Sequence, residues 1–221
     1  MDEGICGPYF CGLPPPGSPN PNEIPMTMDA LDAPAGWVVG WRNAFTPREL
    51  DAIEAYGDSL EPVKAEIAGR KDNTDHLRIT RVAWMDRVPQ IEWLYAKLER
   101  AVLEMNSRLY KYDLYGLVEN FQYTVYHGSE GGHYGWHCDT GKTGDPRKIS
   151  LTLQLSEPSA YEGGDLLLEA GAGPTCAHRA RGTLVAFPSY VLHRVTRSRP
   201  ASASHWWPGS RAPCSAEPAF H

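Results

Sequence analysis

The spacing of the apolar residues changes near residue 115, and this change limits the fold more than any other feature of the sequence. Upstream, a stretch from about residue 90 to 106 places apolar side chains at helical spacing, namely Ile91, Leu94, Tyr95, Leu98, Val102 and Met105. Downstream, between Ile149 and Leu155, apolar and polar residues alternate as in a half-buried strand. Helices followed by short strands predict an α+β fold, with N-terminal helices flanking one all-β core.

Local sequence signals predict where a helix begins and where a turn and further strands lie. Thr46, Pro47 and Glu49 have the order of an N-cap, a first helical residue and the end of a capping box, so a helix is expected to begin at residue 47. Glycines at 163 and 164 predict a tight turn. Further strands are expected at 120–126, 183–187 and 191–195.

The composition of the chain differs between its two ends. Residues 1–36 are rich in Pro and contain five acidic residues but no Lys or Arg, which predicts a disordered leader. The remaining residues hold 21 basic side chains against 22 acidic ones, the total of 27 less those five. This near-neutral body lacks the basic surface that nucleic-acid binding needs.

No apolar run has the length of a membrane span. Five scattered cysteines predict a reduced, cytoplasmic protein.

The residues that carry chemistry lie in the β region. His137 and Asp139 are two apart, so on an extended strand both side chains point to the same face. A second imidazole from a distant strand, His193, completes a group of two histidines and one carboxylate, the ligand set of non-haem Fe(II) enzymes. On spacing alone, two core histidines without a metal explain the pattern equally well.

The segments around these residues resemble the Fe(II)/2-oxoglutarate oxygenase superfamily, in particular the branch related to prolyl 4-hydroxylase catalytic domains. The matching segments are 122–126, 133–140, 149–156, 161–166, 182–189 and 193–196, in the order and spacing of that family. The resemblance covers about residues 37–196. It implies a double-stranded β-helix, the jelly-roll or cupin-like core, for an oxygenase domain over 37–196.

The resemblance also implies a reaction and its parts. His137, Asp139 and His193 are similar to the iron ligands, and Tyr126 to a tyrosine that contacts 2-oxoglutarate. The implied enzyme is a dioxygenase that uses Fe(II), 2-oxoglutarate and dioxygen to hydroxylate a small molecule or a peptide, with peptidyl proline as one candidate. Relatives often use ascorbate to keep the iron reduced. Tyr134 and Trp136 are expected to pack in the wall of the site, with contact to the substrate as the alternative, and Cys138 is expected to pack away from the metal.

One part of the family pattern is missing. The distal carboxylate of 2-oxoglutarate needs a cation, and relatives place it about ten residues after the second histidine. Here that position is Ala203, in a stretch that has no strand pattern. A single inserted C before the codon of Arg197 explains the departure, because another frame allows a strand with Arg at the expected place. Residues 197–221 are therefore interpreted as an atypical, frame-shifted tail.

Three functions stay open at this point. The first is an active oxygenase. The second is a catalytically impaired or inactive metal-binding relative that lacks the arginine for 2-oxoglutarate. In that case arginines 197 and 199 are weak substitutes, and the loss of the strand exposes a sheet edge. The third is a hydrolytic or isomerising metal enzyme of the cupin type, which has a similar barrel.

Overall fold

The computed structural model describes residues 28–30, 37–65, 75–117, 119–140, 147–169, 171, 173–200, 214–217 and 219–220, with the backbone alone at 28–30, 214–217 and 219–220. Helix α1 spans Pro47–Ser59 and helix α2 spans Glu92–Met105. The predicted capping box is confirmed: Thr46 Oγ1 accepts from the backbone N–H of Glu49 at 3.3 Å, and the carboxylate of Glu49 accepts from the N–H of Thr46 at 2.7 Å. Helix α2 continues into one π-helical turn, Asn106–Tyr110.

The strands are short, and most lie after residue 115, as the change of period predicts. In chain order they are β1 Met28–Ala30, β2 Val39–Trp41, β3 Val63–Lys64, β4 Arg78–Ile79, β5 Arg81–Met85, β6 Phe121–Val125, β7 His133–His137, β8 Ile149–Gln154, β9 Tyr161–Glu162, β10 Leu166–Glu169, β11 Pro174–Cys176, β12 Leu184–Pro188, β13 Leu192–Val195, β14 Arg199–Pro200, β15 Cys214–Glu217 and β16 Ala219–Phe220.

These strands form two main sheets with antiparallel pairing. The large sheet has the order β1-β2-β12-β8-β15-β6-β5-β3, and β16 pairs with β8 beside this path. The small sheet has the order β11-β10-β13-β7-β4. A separate ribbon joins β14 to β9. Non-consecutive strands are therefore neighbours in both sheets, which brings residues far apart in sequence to one site.

Two apolar clusters account for the packing of these layers. The first lies between the helices and the large sheet and includes Leu50, Leu98, Tyr123 and Leu151. The second contains side chains from both sheets, among them Phe187 of β12 and Leu168 of β10, which places it between the sheets. The predicted half-buried character of 149–155 is wrong, because all six residues of β8 are buried. Its polar residues, at 150, 152 and 154, lie on the strand face opposite the helix cluster.

Two predictions about the ends of the chain need correction. The predicted disordered leader includes residues 28–30, but these form β1, which pairs with β2. The rest of the leader lies outside the described residues. The exposed sheet edge expected from an irregular tail is wrong, because β15 pairs with β6 on one side and with β8 on the other. None of the helices in the described residues is both long and apolar enough to cross a membrane.

Candidate metal centre

Three predicted ligand residues, His137, Asp139 and His193, come together at one end of the small sheet. His137 is the last residue of β7, and His193 on the neighbouring strand β13 is its direct antiparallel partner. Asp139 lies two residues beyond β7, where its backbone N–H donates to the carbonyl oxygen of Ser189 at 2.9 Å. Strand pairing therefore sets the two imidazoles side by side, and the link to the end of β12 turns the carboxylate toward them.

The distances within this group match a site for a single ion. One ligand atom from each of the three residues lies within 4.8 Å of the others. Nε2 of His137 is 3.6 Å from Oδ1 of Asp139, and Nε2 of His193 is 3.4 Å from Oδ2. Both distances exceed a normal hydrogen bond. Two ligands about 2.1 Å from one ion and at right angles to each other are about 3.0 Å apart, so small rotations close the cluster around a metal.

The two imidazoles are held in the form that binds metals. Nδ1 of His137 is 2.8 Å from the carbonyl oxygen of Gly135, and Nδ1 of His193 is 2.9 Å from that of Val191. A carbonyl only accepts, so each Nδ1 carries the proton and each Nε2 presents its lone pair. Burial, and next the neighbouring His193, lower the pKa of His137 to about 4, against the opposing effect of Asp139. His137 is therefore neutral at physiological pH, as a metal ligand must be.

The carboxylate of Asp139 is oriented from the large sheet. The hydroxyl of Ser150 on β8 donates to Oδ2 at 2.7 Å and lies 3.0 Å from the hydroxyl of Ser189. Arg147 contacts the backbone oxygen of Asp139 at 3.4 Å, but its charge is paired with Glu119 at 2.7 Å. The donor set of two imidazoles and one oriented carboxylate fits Fe(II) with positions left open on one side.

Aromatic and cationic side chains form the wall beside the histidines. The ring of Tyr134 stacks on that of His137 with centroids 3.6 Å apart, and Phe187 lies edge-on to His193 at 4.8 Å. The guanidinium of Arg78 also contacts the Tyr134 ring, with Cζ 4.4 Å from the ring centroid. Packing of Tyr134 in the wall agrees with the prediction from the sequence.

The residues between the ligands face outward. Trp136 is 39% exposed, and the guanidinium of Arg194 lies 4.7 Å from its ring centroid. Cys138 is a free, exposed thiol, 3.3 Å from the carbonyl oxygen of Tyr190. Trp136 is therefore more exposed than packing in the wall of the site would make it. Cys138 lies outside the ligand cluster, as expected, but it is exposed rather than packed.

The remaining predicted contact, Tyr126, follows β6 and is fully buried in the apolar cluster between the sheets. Its role toward a co-substrate stays a prediction. Ala203 lies outside the described residues, as does most of the atypical tail. Sequence reasoning missed Ser150, Ser189 and Arg78, because their roles depend on contacts across strands; the one available signal was that Ser150 is polar in a strand rich in apolar residues.

Comparison with known proteins shows what the part of the chain around this site is similar to. Residues 121–207, which contain all three ligand candidates, match the sequence model of the 2OG-Fe(II) oxygenase superfamily. A stretch of the chain is 40% identical over 98 residues to a PKHD-type hydroxylase of Teredinibacter turnerae, covering 41% of this chain and 43% of that protein. It is 43% identical over 68 residues to one of Parvibaculum lavamentivorans, covering 30% and 31%. The match thus spans less than half the length of these curated relatives.

Solved structures extend the likeness in fold to most of the chain. A Pseudomonas putida prolyl-4-hydroxylase superposes with a TM-score of 0.62 at 22% identity, covering 83% of this chain and 91% of that one. A prolyl hydroxylase of Trichoplax adhaerens, solved with a fragment of the oxygen degradation domain of hypoxia inducible factor, gives a TM-score of 0.63 at 18% identity, covering 83% of each chain. At these identities the likeness establishes a shared fold.

Proposed function

We propose that this protein is a dioxygenase that depends on Fe(II) and 2-oxoglutarate and hydroxylates a peptide or small molecule. The observation that carries the proposal is the group His137, Asp139 and His193, which forms a two-histidine, one-carboxylate set inside a domain of the 2OG-Fe(II) oxygenase superfamily. We further infer that the two sheets are the two halves of a double-stranded β-helix, as in the prolyl hydroxylases with which the chain shares its fold.

The bound metal and 2-oxoglutarate would supply the chemistry, in which dioxygen and the 2-oxo acid are converted to succinate and CO2 and one oxygen atom is inserted into a substrate C–H bond. The three ligands would hold the ion on one side and leave the other for the two co-substrates. Tyr134 and Phe187 fix the imidazole rings by contact, and Ser150 fixes the carboxylate. The apolar cluster between the sheets keeps bulk water from the inner side of the site.

The proposed substrate and setting follow from the comparisons and from the free thiols. Peptidyl proline is the candidate substrate, because the hydroxylases with the same fold include one solved with a peptide fragment. Ascorbate is proposed as the reductant that restores Fe(II), and a reducing, cytoplasmic setting is consistent with the free thiols of Cys138 and Cys176.

Succinate formation tests the proposal without a known substrate. We expect the purified chain to release succinate with Fe(II), 2-oxoglutarate and air, and Asp139→Ala to abolish this. His133→Gln is the matched control, because His133 is a buried histidine on the same strand β7 that is outside the ligand cluster. A metal-loaded wild-type chain that forms no succinate, or an Asp139→Ala variant with full activity, would refute the proposal.

A second assay addresses the substrate class. Proline-containing peptides are incubated with the same mixture, and hydroxyproline is measured by mass spectrometry. Hydroxylation that depends on His193 supports a prolyl hydroxylase. Release of succinate that no proline peptide stimulates would assign the activity to another substrate class while leaving the oxygenase in place.

A further inference from the structure

A buried arginine, Arg78, crosses from the small sheet to the large sheet beside the metal centre. It lies on β4, in direct register with Tyr134 on β7, and is only 8% exposed. Its Nη2 donates to the side-chain oxygen of Gln122 on β6 at 3.0 Å. The guanidinium plane is covered by the Tyr134 ring at 4.4 Å. The cation is therefore fixed at the junction of the two sheets.

Arg78 lacks an anionic partner among the side chains that the structure describes. Its Nε is buried and has no hydrogen bond. Three other arginines of the domain have carboxylate partners: Arg147 pairs with Glu119, Arg179 with Asp165, and Arg181 with Asp51. A guanidinium buried without an anion costs several kcal/mol, about the cost of an unpaired buried charge in general. The position is thus suited to an anion that is supplied from outside the chain.

Arg78 and His137 contact the same aromatic ring, which bounds their separation. The centroid of the Tyr134 ring is 4.4 Å from the Cζ of Arg78 and 3.6 Å from the ring centroid of His137. The Cζ atom is therefore no more than about 8 Å from the His137 ring, the limit set by the two spacings. A five-carbon diacid has an extended span of about 5 Å, because its four C–C bonds of about 1.5 Å follow a zigzag. An acid chelated at the metal would bring its far carboxylate within reach of Arg78.

We propose that Arg78 binds the distal carboxylate of 2-oxoglutarate, in place of the cation that relatives carry about ten residues after the second histidine. This inference rests on the proposed function. Position 203 holds Ala, and β15, the strand that fills the gap between β6 and β8, contains no Lys or Arg. Arg is suited to the role, because its planar fork matches a carboxylate with two parallel hydrogen bonds, and Nε is one of the donors that such a fork uses.

The test compares two 2-oxo acids that differ only at the far end. 2-Oxoglutarate and 2-oxopentanoate both chelate a metal, but the second lacks the distal carboxylate. Binding of each acid to the Mn(II)-loaded full chain is measured by calorimetry. The wild type is expected to bind 2-oxoglutarate at least about 10-fold more tightly, the effect of one charged hydrogen-bonded pair. In Arg78→Gln the ratio should fall to within about 2-fold, and Arg78→Lys, which keeps the charge but not the fork, should give an intermediate ratio.

The matched control is Arg194→Gln. Arg194 stacks on the exposed ring of Trp136, on the other face of β13, so the loss of its charge should leave the wild-type ratio unchanged. Thermal melting and Mn(II) affinity verify that each variant is folded. Arg78→Lys serves as the informative variant where Arg78→Gln is unstable.

The outcomes separate this inference from the proposed function. If both acids bind and Arg78→Gln leaves their ratio unchanged, the assignment of Arg78 is overturned while the 2-oxo acid site remains. If neither acid binds to the metal-loaded wild type, the proposed function itself fails.

Discussion

The hydroxyl of Ser150 donates a 2.7 Å hydrogen bond to Oδ2 of Asp139. The two residues belong to different layers, because Ser150 lies on β8 of the large sheet and Asp139 follows β7 of the small sheet. Ser189, just after the end of β12, adds a 3.0 Å contact to the Ser150 hydroxyl and a carbonyl that accepts from the Asp139 backbone. The large sheet therefore orients the carboxylate of the proposed metal centre, whose two imidazoles come from the small sheet.

Loss of this hydrogen bond should weaken metal binding without unfolding the protein. Partners of this kind typically change metal affinity 10- to 100-fold, so we expect Ser150→Ala to raise the dissociation constant for Mn(II) about 10-fold. Ser198→Ala is the control, because Ser198 is equally buried and donates to a backbone oxygen, that of Gly132 at 2.9 Å, rather than to a ligand. Titration of the metal-free chains with Mn(II) measures both. Equal affinities of the two variants would contradict the role of Ser150.

Two of the three residues of the ligand group were predictable from local rules. Residues two apart on a strand share a face, so the sequence alone places His137 and Asp139 together. The position of His193 needed the family resemblance, since spacing alone does not tell a ligand from a core histidine. The start of α1 was equally predictable, because the Thr46 capping box is formed by residues adjacent in sequence.

Contacts between distant strands could not be predicted from the sequence. In the sequence, Ser150 is one of the polar residues of an alternating strand. Its role in orienting a carboxylate becomes visible only from its hydrogen bond to Asp139. Arg78 lies 44 positions from Gln122 in sequence, and nothing local relates the two. β15 falls in a segment without a strand pattern, and its backbone hydrogen bonds to β6 and β8, rather than side-chain periodicity, define it. Tertiary pairing overrides local preference in such places.

His137 should make the metal-free protein less stable in acid. Its pKa is about 4 in the fold, mainly through burial, and about 6.5 in an unfolded chain, so the unfolded state binds more protons between those two values. Stability therefore rises with pH across this window and falls as the pH drops from 6.5 toward 4. The change is roughly 3 kcal/mol at most. Urea unfolding at several pH values should show a smaller fall for His137→Gln than for wild type, whereas His133→Gln should keep the wild-type fall.

Lys97 should be a large single contributor to the stability of the helical layer. Its Nζ lies 2.8 and 2.9 Å from the two carboxylate oxygens of Glu49, and the side chains are 12% and 3% exposed. Lys97→Ala removes the countercharge from the buried carboxylate of Glu49, a loss that typically costs about 3–5 kcal/mol. Arg108→Ala, which breaks the exposed pair with Glu104, should cost less than about 1 kcal/mol. Chemical denaturation measures both, and similar costs would mean that Glu49 is protonated or rehydrated in the variant.

Gly163 should tolerate a methyl group far less than another glycine of the same backbone conformation. Gly163 and Gly131 have φ values of +66° and +65°, so an alanine at either position carries a similar left-handed penalty of about 1–2 kcal/mol. The two positions differ in the atom that the new Cβ would meet. At position 163 the Cβ would lie 2.2 Å from the backbone oxygen of Arg197, whereas at position 131 it would lie 3.1 Å from a side-chain nitrogen of Arg197. The flexible side chain can move, whereas the backbone oxygen belongs to the segment that leaves the metal centre after His193. We therefore expect Gly163→Ala to lower the free energy of unfolding by at least about 1 kcal/mol more than Gly131→Ala, because an overpacked site of this kind typically costs 1–3 kcal/mol. Equal losses in urea unfolding would show that the chain after His193 adjusts freely to the turn.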